Sequence, residues 1–295
     1  MANPSRLTAF RESLKHLARR AIDGRRSSLT DTRKYRAFCR LAARDDTVFA
    51  SFRASRIYVD MVESAQRDDG QQSLTGTLAQ QPSYRSQLEE FHRNDTVGGP
   101  RREHFEGVGD WSPTTLRYLK ILSDLETLFG DLSGLHIVEI GAGYGGQCRL
   151  ILARFPVASY TILDLPEPGA LAARYLAALG ARGISVNPPP EQLRAQPIDL
   201  AISNYALSEI RRSVQQDYLD RVVMRARRGY MLWNEPALRF LAKRRLPPKD
   251  RPYTAEEAAR QIPGSRVVRE GSMLLRGDRQ LANSLIIWGD GNREA

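Results

Sequence analysis

Cysteine and histidine are scarce in this chain. Two cysteines, Cys39 and Cys148, build no disulfide framework and have no metal-ligand spacing. Both fall in helical patterns and read as buried thiols, which points to a reducing, cytoplasmic setting. No apolar run is long enough to span a membrane. There is no internal repeat and no low-complexity tract. Lysine is rare too, so the net charge of +10 rests almost wholly on arginine. The arginines are scattered, densest at Arg19-Arg20, Arg25-Arg26, Arg101-Arg102 and Lys243-Arg244-Arg245. None of these clusters is long enough for a nucleic-acid arm, and solvated helix faces explain most of them. Nucleic acid is therefore not the expected partner, while an anionic small substrate stays open.

What is present begins with helices. Residues 1–110 read as an N-terminal helical domain that could cover a site or build a homodimer. Leu7, Phe10, Leu14, Leu17 and Ala21 recur at helical spacing, and Glu12 interrupts the positive run, so Met1–Ile22 reads as a docked helix rather than a transit peptide. Thr32–Ala43 and Asp46–Glu63 carry further helical patterns. Residues 70–81 hold two glycines among polar residues and read as a loop. Ser83–Arg93 reads as a short helix. Asn94–Trp111, with His92 and His104 at its flanks, reads either as a substrate lid or as a surface linker.

Ser112-Pro113 opens a new helix, with serine as N-cap and proline at the first turn, and Gly130 can end it. From Leu135 the pattern becomes strands alternating with helices, which predicts a parallel sheet covered on both faces. Strands are expected at 136–140, 159–163, 184–186, 199–203 and 229–233. The last two, 266–270 and 281–288, have no helix between them and should form an antiparallel pair at one edge. The expected fold for residues 111–295 is α/β: a class I methyltransferase (Rossmann-like), seven-stranded, mostly parallel sheet.

The chemistry centres on Val138-Glu139-Ile140-Gly141-Ala142-Gly143-Tyr144-Gly145-Gly146-Gln147. A strand runs through closely spaced glycines into a helix, which lets a ligand approach the main chain and meet free N–H groups. Gly141, Gly143 and Gly146 match a dinucleotide fingerprint literally. Glu139, however, stands where it would repel a pyrophosphate, and it suits a ligand with an ammonium group. Asp164, at the end of the second strand, can accept both ribose hydroxyls. S-adenosylmethionine fits this pair of acids better than a dinucleotide does. The plainer alternatives are that Glu139 caps backbone N–H groups and that Asp164 caps the following helix.

Asn204 and Tyr205 follow the fourth strand and should border the transferring methyl. Ser203-Asn204-Tyr205-Ala206 lacks the paired prolines of nucleic-acid amino-methyltransferases, and Asn187-Pro188-Pro189-Pro190 follows the wrong strand. An oxygen acceptor needs a base or a metal. His16 and His136 are poorly placed, which leaves His104 and Glu209 as alternative bases. A divalent metal is possible, but no acidic cluster has convincing spacing. Arg117 and Arg101-Arg102 could hold a phosphate or carboxylate of the acceptor, or simply make surface pairs.

These strings resemble a known family. Ser112-Pro113-Thr114-Thr115-Leu116-Arg117-Tyr118, the glycine-rich run, Tyr160-Thr161-Ile162-Leu163-Asp164-Leu165-Pro166-Glu167 and Ser203-Asn204-Tyr205-Ala206-Leu207-Ser208-Glu209 look like the bacterial sugar O-methyltransferase family over residues 94–233. The resemblance implies S-adenosylmethionine as donor and a sugar hydroxyl as acceptor, nucleotide-linked or part of a surface polysaccharide or glycosylated natural product. It matches at Glu139, Gly141, Gly143, Gln147, Asp164, Asn204 and Glu209. It adds Tyr144 and Leu165 at the donor, and Tyr118 and Tyr205 beside the acceptor. An RNA methyltransferase, suggested by the charge, and a non-catalytic partner protein that keeps the cradle for structure are the rivals.

Overall fold

A computed structural model describes residues 32–235, 238, 247, 250–269 and 283–290. The helix expected at Met1–Ile22, with His16, and the cluster Lys243-Arg244-Arg245 lie outside the described residues.

Short helices come first: α1 (Arg33–Ala42), α2 (Asp46–Ser51), α3 (Arg56–Val59), α4 (Arg67–Gln80) and α5 (Leu88–His92). Thr32 caps α1 by accepting from the Tyr35 N–H. The single helix expected over 46–63 is broken by a 3-10 turn at Phe52–Ala54 and by Ser55 in an extended conformation. That break lets Phe52, Arg53 and Tyr58 all point inward.

The loop expected at 70–81 is instead the C-terminal part of helix α4. A capping box between Gln66 and Asp69 starts it. Its glycines serve close packing: a Cβ on Gly70 would come 2.7 Å from the Phe105 ring. The loop expected at 94–111 contains a hairpin, β1 (Glu103–Phe105) and β2 (Gly109–Trp111), with Phe105 and Trp111 buried.

Helix α6 (Pro113–Phe129) is capped by Ser112 and ended by Gly130 at φ +74°, as the residues predict. It packs along α4 and leads into the sheet. The remaining elements are β3 (His136–Ile140), α7 (Gly146–Arg154), β4 (Ser159–Leu163), α8 (Pro166–Ala178), β5 (Ile184–Val186), α9 (Pro190–Ala195), β6 (Leu200–Asn204), α10 (Arg212–Arg221), β7 (Arg228–Trp233), α11 (Ala255–Ala259), β8 (Arg266–Arg269) and β9 (Ser284–Trp288).

The seven-stranded sheet has the order β5-β4-β3-β6-β7-β9-β8. Strands β3 to β7 are parallel, and β9 runs antiparallel to both β7 and β8. This is the class I methyltransferase sheet. Its strand order reverses between β3 and β6, which opens a crevice at their carboxyl ends. Period-two alternation sorts the strands onto two buried faces. Ile137, Tyr160, Ile162, Ile202 and Tyr230 share one cluster with Tyr35, Phe52, Tyr58, Tyr84 and Phe91 of the N-terminal helices. Val138, Ile140, Ala201, Met231 and Ile286 face the other. The core is therefore continuous across residue 110.

Candidate functional site

The site is built where β3, β4, β6 and β7 end. Gly141 turns the chain at φ +77°, and a Cβ there would lie 2.0 Å from the Ala206 Cβ. Only glycine lets the loops after β3 and β6 meet this closely. Gly143, at φ +61°, lies under a roof: its Cβ would come 3.2 Å from Val62 and 3.9 Å from the Tyr118 hydroxyl. The N-terminal segment and α6 thus cover the glycine turn.

Two carboxylates stand beside it. Glu139 is buried, and its Oε2 accepts a 2.8 Å hydrogen bond from the Tyr160 hydroxyl. Burial pushes its pKa up to about 7 against that hydrogen bond, with a further upward push from Asp164. Asp164 is half-buried and accepts from the Leu165 N–H at 2.7 Å and the Gly143 N–H at 3.3 Å. Burial pushes it up to about 7 as well, against its backbone donors. So Asp164 binds backbone N–H groups without being the N-cap of α8, which is Leu165, while Glu139 has a side-chain partner. The backbone N–H of Asp164 donates to Asn187 Oδ1, so the loop before the three prolines fixes this acid in place.

Two amides have no partner among the described residues. Both polar side-chain atoms of Asn204, at the end of β6, are shielded from solvent and make no hydrogen bond. The same holds for Gln147, in the first turn of α7, which is fully buried. Leaving such groups unpaired costs about 1–3 kcal/mol each, so a site completed by a ligand is their physical rationale. Tyr205 adds backbone strain, at φ +71° with its N–H on Leu232 O.

The two candidate bases are separated by the fold. Glu209 is half-buried near the end of β7, where it accepts from Asn234 Nδ2 at 2.7 Å. Burial pushes its pKa up to about 7 against that hydrogen bond. His104 stands on the β1–β2 hairpin with its side chain 75% exposed and its Nδ1 2.8 Å from Asp110 Oδ1. Strand alternation turns Phe105 inward and His104 outward. No described contact joins His104 to the glycine turn, Asp164 or Asn204.

The aromatic and basic residues lie at different depths around this site. Arg117 makes no surface pair: it is buried, donates to Val62 O at 3.1 Å, and lies 5.7 Å from the ring centres of Tyr118 and of Tyr205. Arg101 and Arg102 are both exposed, and Arg102 donates to Asp95 O. Tyr144, expected at the donor, is buried among Phe52, Tyr58, Tyr118 and Tyr175, with the Arg53 guanidinium 4.4 Å from its ring centre. It anchors the roof to the sheet. Leu165 contributes its N–H to Asp164.

Sequence reasoning missed what holds the roof on. Arg53, Glu63, Asn94 and Asp95 form a buried network that reaches Gly146 through the Asn94 amide. Arg36 and Arg40 of α1 clamp Glu167 at the start of α8. Single arginines among 44 lysines and arginines carried no signal for these roles. Among the described basic residues Arg53, Arg117 and Arg149 are buried, and the half-buried Arg225 donates to the carbonyls of Leu193, Arg194, Gln196 and Arg221. Among the described residues no group of three or more His, Cys, Asp and Glu could hold a metal, and no described helix is long and apolar enough to cross a membrane.

No protein-family model matches the chain, and no curated protein sequence does. Among solved structures, MtNAS in complex with MTA and tNA shares 15% identity at a TM-score of 0.41, covering 98% of this chain and 99% of its own. A variant of MtNAS in complex with S-adenosylmethionine shares 16% at 0.40, covering 95% and 97%. A Galdieria sulphuraria protein described as a sarcosine dimethylglycine methyltransferase shares 15% at 0.45, covering 69% and 97%. At such identities and scores these likenesses carry no weight for activity, and the fold rests on the sheet order itself.

Proposed function

We propose that the chain is an S-adenosylmethionine-dependent O-methyltransferase acting on a hydroxyl of a sugar. The observation that carries the donor is the pair of buried, unpartnered amides of Asn204 and Gln147 at the carboxyl edge of the sheet. They stand with two acids beside a glycine turn, Glu139 and Asp164. A pyrophosphate would bring like charge to those acids, whereas this donor brings positive charge and no phosphate. When bound, the donor supplies an electrophilic methyl on a positively charged sulfur.

Each residue then has a task. Asp164, held by the Gly143 and Leu165 N–H groups, accepts the ribose hydroxyls. Glu139, oriented by Tyr160, offers negative charge to the donor's ammonium group. Asn204 and Gln147 complete their hydrogen bonds on the ligand. Glu209 takes the proton from the acceptor hydroxyl, and a pKa of about 7 suits a base at neutral pH. Asn234 holds that carboxylate in place. The sugar acceptor is supported by the resemblance of the Tyr144-to-Gln147 and Asp164-to-Glu167 strings and by the absence of an amino-methylation motif after β6.

Calorimetry with S-adenosylmethionine tests the donor. Binding is expected, and Asp164→Ala should weaken it at least about tenfold. No binding at millimolar donor overturns the enzyme reading. A screen of sugars and nucleotide sugars with a labelled methyl donor tests the acceptor. Once an acceptor is in hand, Glu209→Gln should lower kcat about 100-fold or more with donor affinity unchanged.

A further inference from the structure

Among the described residues, Arg117 is a buried cation with no ion-pair partner. Its exposure is 7%, its Nη2 donates to Val62 O, and its Nε is shielded from solvent and has no partner. The two carboxylates whose charge reaches it are engaged elsewhere: Glu63 with Arg53 and Ser112, and Asp69 with the Gln66 N–H. A buried guanidinium left in this state is costly unless an anion completes it. Thr114, one turn earlier on the same face of α6, also has a buried hydroxyl with no partner.

Its surroundings place it at the site. Val62, whose carbonyl it holds, lies over Gly143, as does the Tyr118 hydroxyl. On its other side stands Tyr205, directly after Asn204. We propose that Arg117 anchors a carboxylate or phosphate of a ligand bound between the Gly143 turn and the end of β6. Two sources share that chemistry. One is the amino-acid carboxylate of the methyl donor, an arm that rests on the function proposed above. The other is an acidic acceptor, such as a uronate or a sugar phosphate.

Calorimetry on wild type, Arg117→Met and Arg117→Lys separates them. The probes are S-adenosylmethionine, 5′-methylthioadenosine (which has no amino-acid group), glucuronate, glucose 6-phosphate and glucose. If the donor's carboxylate is held, Arg117→Met weakens S-adenosylmethionine about 10- to 100-fold and leaves methylthioadenosine unchanged. If an acceptor anion is held, both nucleosides bind as before, and the variant loses glucuronate or glucose 6-phosphate binding but not that of glucose. Arg117→Lys should restore part of either loss. Unchanged binding of every probe overturns the proposal. So does an equal loss for charged and uncharged probes, since that marks a packing role. Failure of both nucleosides to bind wild type sinks the donor reading alone, because the sugar probes run without them still report on Arg117. A thermal melt without ligand completes the test: Arg117→Met should unfold no lower than wild type, and a clear drop would mark a structural cation.

Discussion

Arg53 carries five N–H donors into a space where no water can receive them. All five find acceptors: Glu63 Oε1, the carbonyls of Asn94 and Val97, Asp95 Oδ1 and Thr115 Oγ1. The acids are held in turn, Glu63 by the Ser112 hydroxyl and Asp95 by the Ser112 N–H and Thr115 hydroxyl. Removing the arginine leaves two buried carboxylates facing each other without compensation. Arg53→Met should therefore cost about 3–5 kcal/mol, read from denaturant unfolding. A loss under 1 kcal/mol would mean the network is solvated. The glycines differ among themselves in a similar way. Gly107 and Gly141 both sit at positive φ, +78° and +77°, but a Cβ on Gly107 meets nothing while one on Gly141 meets Ala206 at 2.0 Å. Gly107→Ala should cost about 1 kcal/mol and leave donor binding alone. Gly141→Ala should cost more and abolish binding, because the loops after β3 and β6 must part. Equal effects would show that backbone strain alone is at work. Gly141 was legible because the strand, glycines and helix of its motif are contiguous in sequence, although its contact with Ala206 was not. Arg53 was not, because its partners come from three separate stretches of chain, at 63, 94–97 and 115.

Helix α1 is joined to the sheet domain through Glu167 and through Arg174, which donates to Ala42 O at 3.1 Å. Arg36 Nε and Arg40 Nη2 reach Glu167 at 2.8 and 2.6 Å, and Tyr35 and Cys39 are buried beneath them. Glu167 stands three residues after Asp164, so this clamp ties α1 to the segment that carries the acid assigned to the ribose. Hydrogen bonds from Arg36, with a smaller contribution from Arg40, hold the Glu167 carboxyl down at about 2. Its stabilising contribution is thus complete above about pH 4.5 and lost as pH falls through about 2. Glu167→Gln keeps the side-chain shape and removes the charge. Faster amide exchange is expected in residues 33–42 with little change in β3 and β6, along with faster release of the donor. Uniform exchange across the chain would show that α1 is no separate cover. The element scale is also where sequence patterns misled. Gly70 and Gly76 looked like loop residues, yet they are the positions where α4 comes close to Phe105 and Lys120. Local propensity disfavours glycine in a helix by about 1 kcal/mol, and the packing of α4 on α6 outweighs it. The sheet strands, by contrast, announced themselves through apolar runs that both faces bury.

Across the whole molecule the short-range features were readable and the roof was not. The strands, the glycine turn and the acids at the ends of β3 and β4 follow from patterns a few residues long. Val62 over Gly143 and Arg36 on Glu167 follow only from the fold. Burial at the site has a consequence for pH. It raises the pKa values of Glu139, Asp164 and Glu209 from 4.5, 3.8 and 4.5 to about 7 each. Glu139 is the most enclosed, while Asp164 and Glu209 keep open edges and are better screened. A raised carboxyl pKa means that the folded chain holds protons the unfolded chain has released. Stability should then fall as pH rises from about 4.5 to about 7 and level off above that. A cationic donor reverses the balance, since it favours the ionised acids. Its affinity should rise with pH over the same window, with proton release on binding that fades above about pH 7. Thermal melts and calorimetry in buffers of different ionisation enthalpy read both effects. The free chain should melt highest near pH 5, and the donor-induced shift in Tm should be largest near pH 8. A donor affinity that stays flat from pH 5 to 8 would mean that neither Glu139 nor Asp164 answers the donor's positive charge, and those two assignments would fall together.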